Sequence, residues 1–323
     1  MDVLYFIIQQ MLIIAIPLIL VGLGGMFSER SGVINIALEG IMLIGAFFGA
    51  LFIFAAYKPD SNSQLLFLVG ILIAGLGGIL YSLLLAFASV HMKANQVIVG
   101  TSLNMLMPAI ILLYAKLRFG GGEGVRTNIE GLYIKEVPLL SKIPIIGDMF
   151  FKNTYLTVYI GFLLIVIATI FIFKTKIGLR LRACGEHPQA ADSVGINVYK
   201  MRYLGVILSG FLGGVGGYFY SVGILNSNIS GHSGVAGYGF LALAVMIFGQ
   251  WHPIKIMFAG LFFAFISTLV YSRHLIPFLS NLGIPSAYYQ ILPYVATLIV
   301  LIFTSKKSRA PKAEGIPYDK STR

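Results

Sequence analysis

The apolar runs of this 323-residue sequence hold one deeply placed acid, Glu39, within SERSGVINIALEG (residues 28–40). A helix starting near Gly32 puts Glu39 about 10 Å along it, with Asn35 at i−4 on the same face. A carboxylate at that depth needs a polar cavity or a partner. It lines a path for a polar solute, or it pairs with a helix terminus or with Arg30 for assembly alone; the residues leave both open. Asn95 and Gln96 open another run, and Asn104 lies two to three turns inside it. Amides so placed more often hydrogen-bond a neighbouring helix than a solute. Tyr238 stands with the Gly231-His232-Ser233 turn at the mouth of a short run. Asn35, Glu39, Asn95, Gln96, Asn104 and Tyr238 are therefore the candidate path-lining residues.

Catalysis finds no support in the sequence. His91, His187, His232, His252 and His274 are scattered without ligand spacing, so no metal site is expected. Cys184 is the sole cysteine, which rules out an intrachain disulfide. There is no Ser-His-Asp or Cys-His arrangement. Glycine groups such as 22–25, 75–78 and 213–217 sit within apolar runs, with no Lys-Ser or Lys-Thr after them. They read as close helix packing, not as a phosphate loop. The expectation is a chain that is not an enzyme and carries no cofactor.

The long polar stretch Lys174–Arg202 has a different character. It carries six basic residues and two acids, Glu186 and Asp192. That excess beside apolar runs marks a cytoplasmic loop. Within it Pro188 signals a helix start and Gly195 a stop. Glu186, Pro188, Ala190, Ala191, Val194 and Gly195 outline a short surface helix suited to docking, with Ala190, Ala191 and Val194 as its small apolar face.

These residues must be held by membrane-spanning elements. The chain is 58% hydrophobic and 11% charged, where a soluble domain carries about 25% charged residues. Nine spans are expected, at 4–25, 33–56, 65–90, 96–115, 155–173, 203–224, 237–251, 254–272 and 287–304. The fold class is thus all-α and polytopic. Residues 1–304 form a transmembrane domain, with the cytoplasmic loop 174–202 and an extracellular loop 116–154, followed by a basic tail 305–323. With the tail inside, an odd count puts the N-terminus outside. The first run has no basic residue before it and reads as a permanent span. A net charge of +11 invites a nucleic-acid role. However, half of the Lys and Arg residues lie in 174–202 and the tail, which is topology and anionic-lipid contact. A faint internal echo joins Ser31-Gly32-Val33 to Ser233-Gly234-Val235, each after a glycine-rich run; repeated halves are common in transporters.

Four stretches carry a family resemblance: SERSGVINIALEG, Ala94-Asn95-Gln96-Val97-Ile98, Thr175 through Lys200, and Gly237-Tyr238-Gly239-Phe240. The sequence resembles permeases of ATP-binding-cassette importers, in the branch holding ribose and nucleoside permeases. SERSGVINIALEG is most similar to the shorter permease of the nucleoside systems. The resemblance implies the importer permease fold and a subunit in a bacterial cell membrane that takes up nucleosides. ATP would be used by a separate cytoplasmic ATPase, received at a coupling helix spanning Glu186–Gly195. The implied partners are that ATPase, a second permease in a heterodimer, and an extracellular binding lipoprotein. Two alternatives stand beside it: a sugar permease of the same branch, and a secondary transporter in which Glu39 takes up a proton.

Overall fold

The structure, a computed structural model, describes residues 2–58, 63–119, 124–125, 133–137, 141, 143, 146–224, 229–230, 234–272, 275, 291–293, 295–296, 298, 302 and 309–320. The element order begins α1 (Asp2–Arg30), α2 (Leu38–Ala56) and α3 (Ser63–Ala86), which ends in a π turn over Phe87–His91. Then come α4 (Gln96–Phe119), β1 (Gly124–Val125), β2 (Tyr133–Glu136), α5 (Ile146–Phe150) and β3 (Lys152–Tyr155). The second half runs α6 (Leu156–Lys174), α7 (Lys176–Glu186), α8 (Pro188–Ser193), α9 (Val198–Gly223), β4 (Ile229–Ser230), α10 (Tyr238–Phe248) and α11 (Pro253–Tyr271). The strands are marginal, as β1 pairs antiparallel with β4 and β2 with β3.

Among the described residues seven helices are long and apolar enough to cross a membrane: α1, α2, α3 with its π turn, α4, α6, α9 and α11. The 15-residue span expected at 237–251 is an 11-residue helix, α10. The ninth expected span, 287–304, lies mostly outside the described residues.

The core is built around α9. Of its most apolar stretch 83% is buried, against 28% for α4, so α9 is central and α4 peripheral. Glycine makes this centre possible. A Cβ on Gly217 would stand 1.8 Å from Met42 O of α2, and one on Gly214 would stand 2.4 Å from Ala74 O of α3. Backbones at that distance have no room for a side chain, and such contact replaces the hydrophobic drive that helices lack in lipid. The bland expectation for the glycine groups holds.

Two boundaries differ from the sequence expectation, for physical reasons. The second span does not begin near Gly32, because residues 31–37 are not helical and α2 starts at Leu38. Gly32 adopts φ +96°, the left-handed region that glycine occupies freely. The Ser28 hydroxyl donates to Val33 O, and the Val33 N–H turns back to Ser28 O. At the other boundary, α9 begins five residues earlier than expected, because Asn197 caps it by accepting the Lys200 N–H at 3.0 Å. Arg202, placed in the loop by its charge, is therefore on this helix and 1% exposed.

Candidate functional site

The non-helical climb from Ser31 to Ala37 leaves backbone groups that lipid cannot satisfy, so polar side chains must do it. Gln96 Oε1 accepts the Ile34 N–H at 2.7 Å. Asn104 bridges the break, with Nδ2 donating to Ile36 O and Oδ1 accepting the Gly40 N–H, both at 2.8 Å. Asn104 is eight residues into α4, about 12 Å along it, so α2 starts well inside the bundle. Asn35 Nδ2 donates to Ser209 Oγ of α9 at 2.8 Å. Asn35 and Glu39 thus share no helix face, and the expected i−4 relation is absent.

Glu39 lies in the first turn of α2 and serves a second helix start. Its Oε1 accepts the Gly237 N–H at 2.9 Å and its Oε2 the Gly239 N–H at 2.7 Å. These are the first free donors of α10, whose N-cap Gly237 has φ 80° and no side-chain cap of its own. An anion at a helix N-terminus meets both the orphan N–H groups and the positive end of the dipole. Gly239 lies so close that its Cβ would stand 2.4 Å from Glu39 Cα. The two Ser-Gly-Val stretches therefore precede two helix starts inside the bundle, and Glu39 joins them. Such discontinuous helices are where transporters place solutes and ions.

Open space lies on the α10 side of this junction. A cavity of about 290 Å³ is lined by Ala236, Tyr238, Leu241, Ser267, Val270, Tyr271 and Pro293. A second, of about 400 Å³, lies between α1, α9 and α11, and includes Gln10, Thr268 and Ser272. Tyr271 lines both, and the ring of Tyr220 of α9 packs at a tilt against Tyr238, with centroids 4.5 Å apart. Of the six candidate lining residues, Tyr238 lines the first of these two cavities and the other five line neither. Asn35, Gln96 and Asn104 are used on the chain itself, and Asn95 caps α4 by accepting the Val97 and Ile98 N–H groups. Sequence reasoning missed Ser267 and Tyr271. Their one signal was a hydroxyl in an apolar run, which most membrane helices also show.

The segment after α6 forms as its punctuation predicts. Thr175 caps α7 by accepting the Gly178 N–H at 3.0 Å. Pro188 opens α8 at N1, and Gly195 leaves it at φ +83° with open space around it. Arg30 ties this segment to α1 and α10 together. Its Nη1 stands 3.6 Å from Glu186, while Nε and Nη2 donate to Trp251 O. Gly185 approaches so closely that its Cβ would be 2.2 Å from Arg30 O. The outer surface of α8 is Gln189, Ala190, Ser193 and Val194, the last 75% exposed. Ala191 corrects the expected face. It is 3% exposed, packed inward with Cys184, Val198 and Tyr318. Burial pushes the Cys184 thiol up to about 11. No group of three or more His, Cys, Asp or Glu that could hold a metal occurs among the described residues.

Residues 7–301 match the family described as "Branched-chain amino acid transport system / permease component". The sequence is 42% identical over 323 residues to the guanosine ABC transporter permease protein NupQ of Bacillus subtilis, covering 100% of this chain and 99% of that protein. It is 42% identical over 326 residues to the nucleoside ABC transporter permease protein NupC of Lactococcus lactis, covering 99% and 98%. The putative glucose ABC transporter permease protein TsgC13 of Haloferax volcanii is 32% identical over 259 residues, covering 79% of this chain and 74% of that protein.

Proposed function

The chain belongs to the branched-chain amino acid transport system permease family, and on that premise we propose that it is the membrane subunit of an ATP-binding-cassette importer for nucleosides. One observation carries the substrate class: end-to-end identity of 42% to a guanosine and to a nucleoside permease. The putative glucose permease is the more distant at 32% and is matched over less of the chain, so the sugar reading ranks second.

In this reading the chain supplies the path and a separate subunit supplies the work of ATP hydrolysis. An extracellular binding lipoprotein delivers the nucleoside, and a second permease completes the path. The N-terminus lies outside and the basic tail inside the bacterial cell membrane. Motion enters at α8, whose exposed face of Gln189, Ala190, Ser193 and Val194 fits a groove on the ATPase. It passes through Gly185 and Glu186 to Arg30, and from there to the break at residues 31–37 and to Trp251 below α10. A displacement at α8 thus reaches both helix starts that Glu39 joins. Rigid helices pivoting about such a junction open the cavities at Tyr238 and Tyr271 to one side or the other. The proton-driven alternative gains little from the geometry, because both Glu39 oxygens already accept backbone N–H groups.

The test is competition. Uptake of labelled guanosine by cells carrying the whole importer should fall with excess unlabelled nucleosides and be indifferent to ribose or glucose. Competition by sugars alone would replace the nucleoside assignment with the sugar one.

A further inference from the structure

Residues 309–320 are seated across the cytoplasmic turns of the bundle. The Ala313 N–H donates to Gly185 O at the end of α7, and the Gly315 N–H to Gly32 O in the α1–α2 break. Arg202 Nη1 donates to Ile316 O at 2.9 Å. Lys93, in the α3–α4 turn, pairs with Asp319. Tyr318 is buried with Cys184, Ala191 and Val198, its ring edge-on to Tyr199 at 5.4 Å. The inward face of α8 is therefore packed against the C-terminal segment. A basic stretch that reads as a cytoplasmic tail is, over these residues, a clasp.

At its centre two acids meet. The Glu314 carboxyl is in hydrogen-bond contact with that of Glu29 in α1. Glu29 is 4% exposed and accepts the Trp251 indole N–H, while Glu314 Oε2 is buried with no other partner. Two carboxyl groups bond to one another only if one keeps its proton, and like charges at such a site do not both ionise. Arg30, whose charge acts on Glu314, is engaged by Trp251 O and Glu186.

We propose that Glu314 is a positioning residue for coupling, and that residues 309–320 clasp α7 and α8 to the α1–α2 break most firmly while Glu314 holds its proton. The proposal rests on the assignment of α8 as the ATPase contact. Burial pushes Glu314 up to about 7 from an ordinary 4.5, against the opposing pull of its bond to Glu29 and of Arg30. A carboxyl raised in the seated state seats most firmly below its free value, loses seating as pH climbs toward the seated value, and levels off above it. Between pH 6 and pH 8 the seating constant therefore falls about tenfold. The charged groups that face the pair are Arg30 of α1, Arg182 and Glu186 of α7, and Arg202 of α9. His252, below α10, is lowered by burial, Lys255 and Arg30.

Cys184, the sole cysteine, is buried beneath Tyr318 and reports the clasp directly. Maleimide labelling of the assembled transporter would compare wild type with Glu314→Gln at each pH, so that ionisation of the thiol itself cancels. The wild-type to variant ratio should rise about tenfold from pH 6 to pH 8. Tyr318→Ala, which opens the clasp without touching the acids, should label fast at both pH values and hydrolyse more ATP per nucleoside imported. Glu314→Gln should keep its coupling ratio at pH 8 where wild type loses it. A ratio that does not change with pH, or a protected Cys184 in Tyr318→Ala, overturns the clasp. Fast labelling of Tyr318→Ala with an unchanged coupling ratio overturns the positioning role, while nucleoside uptake at pH 6 independently reports whether the importer assignment stands.

Discussion

Replacing Glu39 by Gln changes one atom, and the junction predicts what that costs. The carboxylate offers an acceptor to Gly237 and another to Gly239, at 2.9 and 2.7 Å. Gln keeps one carbonyl acceptor and turns an NH₂ donor toward the other N–H. One charge-assisted bond is lost, at about 1.5–3 kcal/mol, and the remaining one becomes neutral and weaker. Glu39→Ala leaves both N–H groups without the carboxylate and costs about twice as much. The break between α2 and α10 should loosen before the rest of the bundle, because the glycine contacts of α9 with α2 and α3 do not involve Glu39. The assay is paired: the thermal unfolding midpoint of the purified transporter, and its nucleoside uptake. Both should fall in the order wild type, Gln, Ala, with the pH profile of uptake unchanged in shape. Full uptake and an unaltered midpoint in Glu39→Ala would refute the junction. A shift in pH profile for Glu39→Gln would instead point to proton coupling.

Three further outcomes follow from the same structure. Gly217→Val forces a side chain against Met42 O where a Cβ would already stand 1.8 Å away; it should cost about 1–3 kcal/mol or more and reduce the amount of folded protein in membranes, read by detergent-resistant yield. Val194→Asp, on the exposed face of α8, should leave folding intact but lower co-purification of the ATPase and nucleoside uptake at least tenfold, whereas Ala191→Trp should also destabilise the chain because Ala191 faces inward. With Cys184 replaced by Ala, a cysteine at Arg309 should resist impermeant maleimide added outside intact cells; labelling from outside would invert the topology.

Much of the scaffold was legible because its signals are collective. Eight of the nine expected spans coincide with a described helix, since an apolar run of that length has few other solutions. The short helix α8 was equally readable, as Pro188 and Gly195 act through their own backbones. The geometry within the membrane was less so. A break such as 31–37 shows no composition shift, because the side chains that support it, Gln96 and Asn104, come from another helix. For Glu39, the helix terminus offered as the alternative to a solute path is where the structure seats it. Ala191 was misplaced because a six-residue helix has too few residues to separate its faces by pattern. The seating of residues 309–320 was hidden for a similar reason: their charge pattern describes solvent-facing groups, whereas the contacts are made by Ala313, Tyr318 and backbone atoms.

The most direct measurement is accumulation of labelled guanosine in proteoliposomes holding this chain with its partner permease, its ATPase on the loaded inner face and the binding lipoprotein outside. The account predicts accumulation that requires ATP on the ATPase side, survives a protonophore, and is abolished by Val194→Asp. Accumulation that proceeds without ATP and collapses with the proton gradient would contradict it.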